Sequence, residues 1–249
     1  LESGRKPVGL FPIYTPEELV YAAGFLPVGM WGGDTDIRLA DRYLQGFCCS
    51  IMRTNIEYGM RGTYDTLAAV LIPTLCDTLK CICENWKVAV PQVPVIPVVY
   101  PQNRNLPAGV QYLKDEFRRV LAELEKLAGH PVRSETLEAA FTAYEDCRAA
   151  MRNFCDAAAS HPKTINAKVR HLILKASYFM EKPVYTKQLQ ELTQALLAAP
   201  TETCAVRAIA TGLLAEPLGV LDIFVDNDIA IVGDDLAQES RQFRTPART

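Results

Sequence analysis

From Pro7 to Gln102 short apolar runs alternate with helical patterns, and this alternation constrains the chain more than any other feature. It argues for βαβ units, whose crossover helices return each strand parallel to the last, and so for a largely parallel sheet. PVGLFPIY reads as a strand. Thr15, with Pro16 after it and Glu18 three residues on, reads as a capping-box start for the helix PEELVYAAG, and FLPVGMWG is the next strand. After a loop through DTDIRLADRYLQ come Cys49 and a helix, then the strand AAVLIP, a helix from Cys76-Asp77-Thr78 towards ENWKVA, and the strand VPVIPVVY. Strands this uniformly apolar suit a parallel sheet covered on both faces.

Residues 109 to 199 change character and carry 3.6-period patterns with little strand signal. Val110, Leu113, Phe117, Val120, Leu121, Leu124 and Leu127 form one apolar stripe, with Gly129 and Pro131 as stop signals. Ser134 caps a second helix in which Leu137, Phe141, Tyr144, Met151, Phe154 and Ala158 face inward. Further helices are expected over Lys163–Met180 and Thr186–Ala199. After Pro200 the alternation resumes with AVRAIATGLL, the helix EPLGVLDIFVDN and the strand IAIVGDD. The organisation expected is a first α/β domain over 1–108, a helical segment over 109–200, and the start of a second α/β domain over 201–249. With two strands visible there, the second domain reads as cut short, because a two-stranded sheet is marginal in water. The fold class expected is therefore α/β, with two Rossmann-like parallel-sheet domains linked by a helical segment.

Composition narrows the function classes. With 26 basic and 29 acidic residues in 249, and no run of like charge, the chain offers no electrostatic footprint for nucleic acid. No apolar stretch reaches the roughly 18 residues of a membrane span, and no signal-peptide pattern opens the sequence. Eight cysteines without secretion signals fit a reducing compartment, and a cytoplasmic location is expected. There is no GxGxxG, GxxxxGK[ST] or GxSxG, so dinucleotide, P-loop and serine-hydrolase readings lack their motifs.

Two cysteines stand out, Cys49 in FCCSIMRTN and Cys76 in AAVLIPTLCDTLK, because each sits where a strand or loop gives way to a helix. A thiol there faces unpaired backbone N–H groups and the positive end of the dipole, which lowers its pKa and favours the thiolate that binds metals. Cys76 also follows a buried strand at its carboxyl end, where open α/β sheets place their ligand crevice. Cys48 is the alternative to Cys49. Cys76, Cys81 and Cys83 give C-x4-C-x-C, which matches none of the usual cluster spacings, and core packing is expected for Cys81 and Cys83. Cys147, Cys155 and Cys204 read as buried small hydrophobes. Of His130, His161 and His171, none beside a serine or cysteine motif, two precede or sit near helix ends and read as capping or solvated side chains; Asp234 and Asp235 read as solvated turn carboxylates, and Arg53, Glu57 and Arg61 as a surface i,i+4 ladder.

Together PVGLFPIYTPEELVYAAGFLPVGMWGG, FCCSIMRTNIEYG, AAVLIPTLCDTLK with NWKVAVPQVPVI, and IAIVGDDLAQESRQFRTPART resemble the 2-hydroxyacyl-CoA dehydratase D-component family, which includes benzoyl-CoA reductase subunits. The resemblance covers most of the chain and is weakest over residues 109–199. It implies two similar α/β domains flanking a [4Fe-4S] cluster held by three cysteines. By the motif match Cys49 and Cys76 are two of the three. The third falls further along the second domain, and no residue here matches it.

The resemblance also implies an activity. Removing water from a 2-hydroxyacyl thioester means losing an unactivated β-proton, so the family adds one electron to the thioester carbonyl, expels hydroxide from the ketyl radical and recovers the electron. The implied protein is one subunit, β-type, of a hydro-lyase that works with a homologous second subunit, an acyl-CoA substrate and an ATP-dependent iron-sulfur activator protein. A benzoyl-CoA reductase-type subunit and a noncatalytic iron-sulfur or thiol-bearing interaction module are the alternatives.

Overall fold

The structure is a computed structural model and describes residues 4–246. Two compact units divide the chain, Leu1–Ala140 and Phe141–Thr249. The first contains β1 (Pro7–Leu10), α1 (Glu17–Ala22), β2 (Leu26–Gly29), α2 (Ser50–Met60), β3 (Val70–Pro73), α3 (Asp77–Ala89), β4 (Val95–Val98) and α4 (Pro107–Ala128). Every pairing in its sheet is parallel and the strand order is β2-β1-β3-β4. The chain leaves β1 towards β2 and then crosses to β3 on the other side, which makes the β1/β3 boundary the topological switch point.

The strands are shorter than the apolar runs that announce them. β1 ends at Leu10, because Pro12 has no N–H to continue the ladder. Thr15 does not cap α1: its hydroxyl donates to the Phe11 carbonyl at 2.6 Å, and Pro16 occupies the N-cap position without a side-chain bond.

One face of the sheet is covered by α1 and α4, burying Val8, Leu10, Leu19, Val20, Leu71, Val98, Val120 and Leu124. In α4 the middle of the apolar stripe reaches this core while Val110 and Leu127 at its ends are exposed. Gly129 ends the helix in the left-handed conformation at φ 77°, its N–H closing on the Glu125 carbonyl at 2.8 Å. Elsewhere in this unit Trp86 is fully buried, edge-on to Phe11 with centroids 5.4 Å apart, and its indole N–H donates to the Val93 carbonyl.

α5 (Ser134–Ala158) crosses the division between the units. From Phe141 onward the second unit adds α6 (Ala167–Ala176), α7 (Lys182–Ala198), β5 (Val206–Gly212), α8 (Leu218–Asp226) and β6 (Ile229–Leu236). Cys147, Met151, Phe154, Leu174, Tyr185, Leu189 and Leu196 form its main core. β5 and β6 pair in parallel as a two-stranded sheet, joined by α8. Ile209 of β5, Leu213 just after it, and Val220 and Ile223 of α8 are exposed, although α8 is apolar nearly all round.

Two of the three histidines are buried rather than solvated. The ring nitrogens of His161 face the Ala157 and Ala199 carbonyls. His171 lies between Glu239 and Glu216, at 2.9 and 3.3 Å. Beside it the buried Arg170 pairs with both Asp234 and Glu239, and Lys175 pairs with Glu216. Asp234 is thus a buried ion-pair partner in β6 and not a solvated turn residue, while Asp235 stays half exposed and pairs with Arg241 and Arg244. Burial opposes ionisation of Asp234, yet Arg170 and the N–H groups of Leu236 and Ser240 hold its carboxyl below the usual range.

Candidate metal centre

Cys49 is the N-cap of α2 and Cys76 the N-cap of α3. Both are exposed and unoxidised, whereas Cys48 is buried, its sulfur facing the Gln45 side-chain oxygen at 3.9 Å. α2 follows the long loop out of β2, and α3 follows β3 after three residues, so both thiols stand at the carboxyl edge of the first unit's sheet. At Cys76 the sulfur accepts from the Leu79 N–H at 3.5 Å, the capping bond that a helix start offers to an anion.

Cys49 senses Cys76. Burial raises the pKa of Cys49, and charge on Cys76 and Cys48 raises it further, against the pull of the Met52 N–H. The expected lowering at this helix start is therefore reversed: Cys49 makes no capping bond with its sulfur, the Met52 N–H bonding instead to the Cys49 carbonyl at 3.0 Å, and burial of the sulfur, with charge on Cys76 and Cys48 adding to it, outweighs the backbone. Two thiols whose charges oppose each other are a donor set that a thiophilic cation stabilises, since its positive charge removes the repulsion. That chemistry fits two ligands of an iron-sulfur group. Among the described residues no group of three or more His, Cys, Asp or Glu side chains is placed to hold a metal ion.

What fixes α2, and with it Cys49, is polar and buried. Glu57 is fully buried and its Oε2 accepts the N–H groups of Arg38, Leu39 and Ala40 at 2.9, 2.7 and 2.9 Å, while Oε1 takes Arg61 Nε at 2.8 Å. Burial works against its charge, but the three backbone donors and Arg61 win, and the carboxyl is held below its ordinary range. Of the surface ladder expected of Arg53, Glu57 and Arg61 only the Glu57–Arg61 pair forms, and not at the surface, for Glu57 turns inward to clamp the loop from β2 while Arg53 pairs with Asp41. Asn55 donates to the Met30 carbonyl at 2.7 Å and accepts from the Tyr64 hydroxyl at 2.8 Å, tying α2 to the exit of β2. Gly32, at φ 80°, lets that exit pass α2, where a Cβ would come within 2.5 Å of Thr54 Oγ1.

Of the other cysteines, Cys83 and Cys147 are buried, Cys155 and Cys204 are partly buried, and Cys81 is exposed on α3 where core packing was expected. Burial pushes the thiols of Cys83 and Cys155 up to about 11, so they stay protonated and inert at neutral pH. Nothing in the sequence marks Glu57 as part of the site's surroundings. The one available signal is a polar Asn55 within the apolar stripe of Ile51, Met52, Ile56 and Gly59.

A doubly wound α/β unit that brings a pair of free thiols to the switch-point edge of its sheet defines a class of thiol-bearing α/β proteins suited to a metal group. The family model described as 2-hydroxyglutaryl-CoA dehydratase, D-component, matches residues 12–249, and the chain belongs to that family. It is 44% identical over 245 residues to the lactoyl-CoA dehydratase subunit beta of Anaerotignum propionicum, covering 98% of this chain and 65% of that one. Identity to the (R)-phenyllactyl-CoA dehydratase beta subunit of Clostridium sporogenes is 40% over 245 residues, with 98% and 66% covered. A benzoyl-CoA reductase subunit of Thauera aromatica is 26% identical over 255 residues, with 100% and 66% covered. The chain thus spans about two thirds of the length of these relatives. No helix among the described residues is long and apolar enough to cross a membrane.

Proposed function

We propose that this chain is part of one subunit, β-type, of a cytoplasmic 2-hydroxyacyl-CoA dehydratase that converts a 2-hydroxyacyl-CoA to a 2-enoyl-CoA by the one-electron ketyl route. The observation that carries it is the pair of exposed, free thiols at the N-caps of α2 and α3, at the same edge of one parallel sheet and close enough for charge on Cys76 to raise the cost of ionising Cys49. Cys49 and Cys76 would hold two corners of a [4Fe-4S] cluster, and the burial of Cys48 supports Cys49 over its neighbour. When bound, the cluster supplies a Lewis-acidic iron and a path for one electron.

The chain's own contribution is to present the thiolates. The N–H of Leu79 stabilises charge on Cys76, and the Glu57 clamp with Asn55 fixes the helix that carries Cys49. The third thiolate is proposed to come from outside residues 4–246, in a second Rossmann-like domain that β5, α8 and β6 begin. The exposed apolar side chains of β5 and α8 and the greater length of the relatives support this. The working enzyme would pair this subunit with a homologous second one and receive electrons from an ATP-dependent iron-sulfur activator. The dehydratase reading is favoured over the reductase by 40 and 44% identity against 26%.

The test is anaerobic purification of the complete subunit. Brown protein with about four irons and four sulfides is expected, and Cys49→Ala or Cys76→Ala should each abolish the loading. Colourless protein from strictly anaerobic preparation would sink the cluster assignment. Incubation of the subunit pair and activator with a 2-hydroxyacyl-CoA should yield the enoyl-CoA; an aromatic thioester reduced in its ring would point to the reductase instead, and no turnover of either to a noncatalytic module.

A further inference from the structure

The second unit holds a cleft that the proposed chemistry does not use. Its volume is about 430 Å³, within the range of small-molecule sites, and it runs between the C-terminal halves of α5 and α7. Asn153 and Asp156 line it from α5, Gln190 and Gln194 from α7, and His161 and Ala199 line it past the helix ends. Along α5 the lining extends from Ala150 to Ser160, which at 1.5 Å per residue is about 15 Å. An elongated ligand suits that length.

The charges around the cleft favour a cation. α5 ends at Ala158 and α7 at Ala198, and the Glu202 N–H donates to the Ser160 carbonyl at 2.9 Å, so the negative ends of two helix dipoles meet there. Asp156 adds a carboxylate, exposed and without an ion pair among the described residues. No lysine or arginine is among the described residues that line the cleft. Arg207 donates to the Ala159 carbonyl at 3.1 Å but is not part of the lining.

One contact in the wall needs a donor. His161 is 3% exposed, its Nδ1 lying 2.9 Å from the Ala157 carbonyl and its Nε2 3.4 Å from the Ala199 carbonyl. A neutral imidazole carries one N–H, and the shorter contact assigns it to Nδ1. Nε2 and the Ala199 carbonyl then face each other as two acceptors, and no backbone N–H among the described residues donates to that carbonyl. A ligand N–H reaching both would satisfy them.

We propose that this cleft binds a linear aliphatic polyamine, with one ammonium donating to His161 Nε2 and the Ala199 carbonyl and another paired with Asp156. The amide oxygens of Asn153, Gln190 and Gln194 accept the remaining N–H groups, and the methylene stem lies along Ala157 and Leu197. The site uses no residue of the thiol centre and does not depend on the dehydratase reading.

Spermidine is the probe, titrated calorimetrically into the complete, reduced subunit at physiological salt. One equivalent should bind, and 1,8-octanediol, a neutral chain of similar length, should bind at least ten-fold more weakly. Asp156→Asn should weaken spermidine about ten-fold, the weight of one charged hydrogen bond. Gln194→Arg, which puts a guanidinium on an exposed position of the lining, should abolish binding without lowering the melting temperature. Asp226→Asn, an exposed acid outside the cleft, should change nothing. In the ligand-free chain the ¹⁵N shifts of His161 should read as the Nδ1–H tautomer, and the Nε2 shift should move when spermidine is added.

No binding, equal binding of the diol, or equal losses in Asp156→Asn and Asp226→Asn would each overturn the site. So would an imidazolium at His161 in the ligand-free chain, since both carbonyls would then already have donors. Iron loading separates the two readings: a subunit that takes up iron but not spermidine keeps the dehydratase and loses the cleft, and one that binds spermidine but never iron does the reverse.

Discussion

Replacing Glu57 by Gln tests the claim that a buried carboxylate, and not a surface ladder, sets the helix that carries Cys49. The wild-type carboxylate accepts four donors, three backbone N–H groups on one oxygen and Arg61 on the other. Glutamine has one acceptor oxygen. If it faces the loop, the amide NH2 meets Arg61 donor against donor; if it faces Arg61, three buried N–H groups lose their acceptor. The first arrangement costs less: it forfeits one charged hydrogen bond, about 1.5–3 kcal/mol, and weakens three others. Arg61 is 39% exposed and recovers part of its loss to water, so the net cost is about 3 kcal/mol rather than the 3–5 of a fully buried broken pair.

Trp31 and Trp86 are the chain's two tryptophans and both lie in the first unit, so fluorescence-detected urea unfolding reports this region selectively. The pH dependence supplies the sign. Glu57 has a folded pKa below its unfolded value, so its contribution is present above about pH 4.3 and is lost as pH falls through the folded pKa. The gap between wild type and Glu57→Gln should be full at pH 7 and close in acid. A difference under about 0.5 kcal/mol at pH 7, the size of an ordinary surface substitution, would refute the clamp.

Leu124→Ala, which empties a fully buried position under the first sheet, should cost about 2–5 kcal/mol by the same fluorescence assay. Val110→Ala on the same predicted stripe is exposed and should cost less than about 0.5 kcal/mol. His171 faces Glu239 and Glu216, themselves paired with Arg170 and Lys175, and despite burial these carboxylates raise its pKa. Its contribution should therefore be complete below about pH 6.5 and disappear as pH rises through the raised folded value. Thermal unfolding of wild type and His171→Gln from pH 5 to 9 should converge at the alkaline end, and a gap that widens there would reverse the assignment.

How much of this was legible in the sequence follows from the range of the forces involved. Strand and helix alternation is local: it is written in the periodicity of VLIP or of the Val120 and Leu124 stripe, and the elements formed there because burial rewards that pattern. Cys49 and Cys76 were legible for the same reason, since an N-cap is defined by its own next three residues. Glu57 was misread because an i,i+4 pair looks alike in sequence whether its face meets water or a loop folded back from residues 38–40. Asp234 was misread likewise, its partner Arg170 lying 64 residues away, and nothing local marked His171, whose partner Glu239 lies 68 residues away. Local pattern chose the elements, while long-range polar contacts chose which charges could be buried. The direction of the Cys49 shift belongs to the second kind. A helix start taken alone lowers a thiol's pKa, but burial of the Cys49 sulfur raises it, and charge on Cys76, 27 residues along the chain and brought to the same sheet edge by the β1/β3 crossover, raises it further, a cost that a cation joining the two would offset.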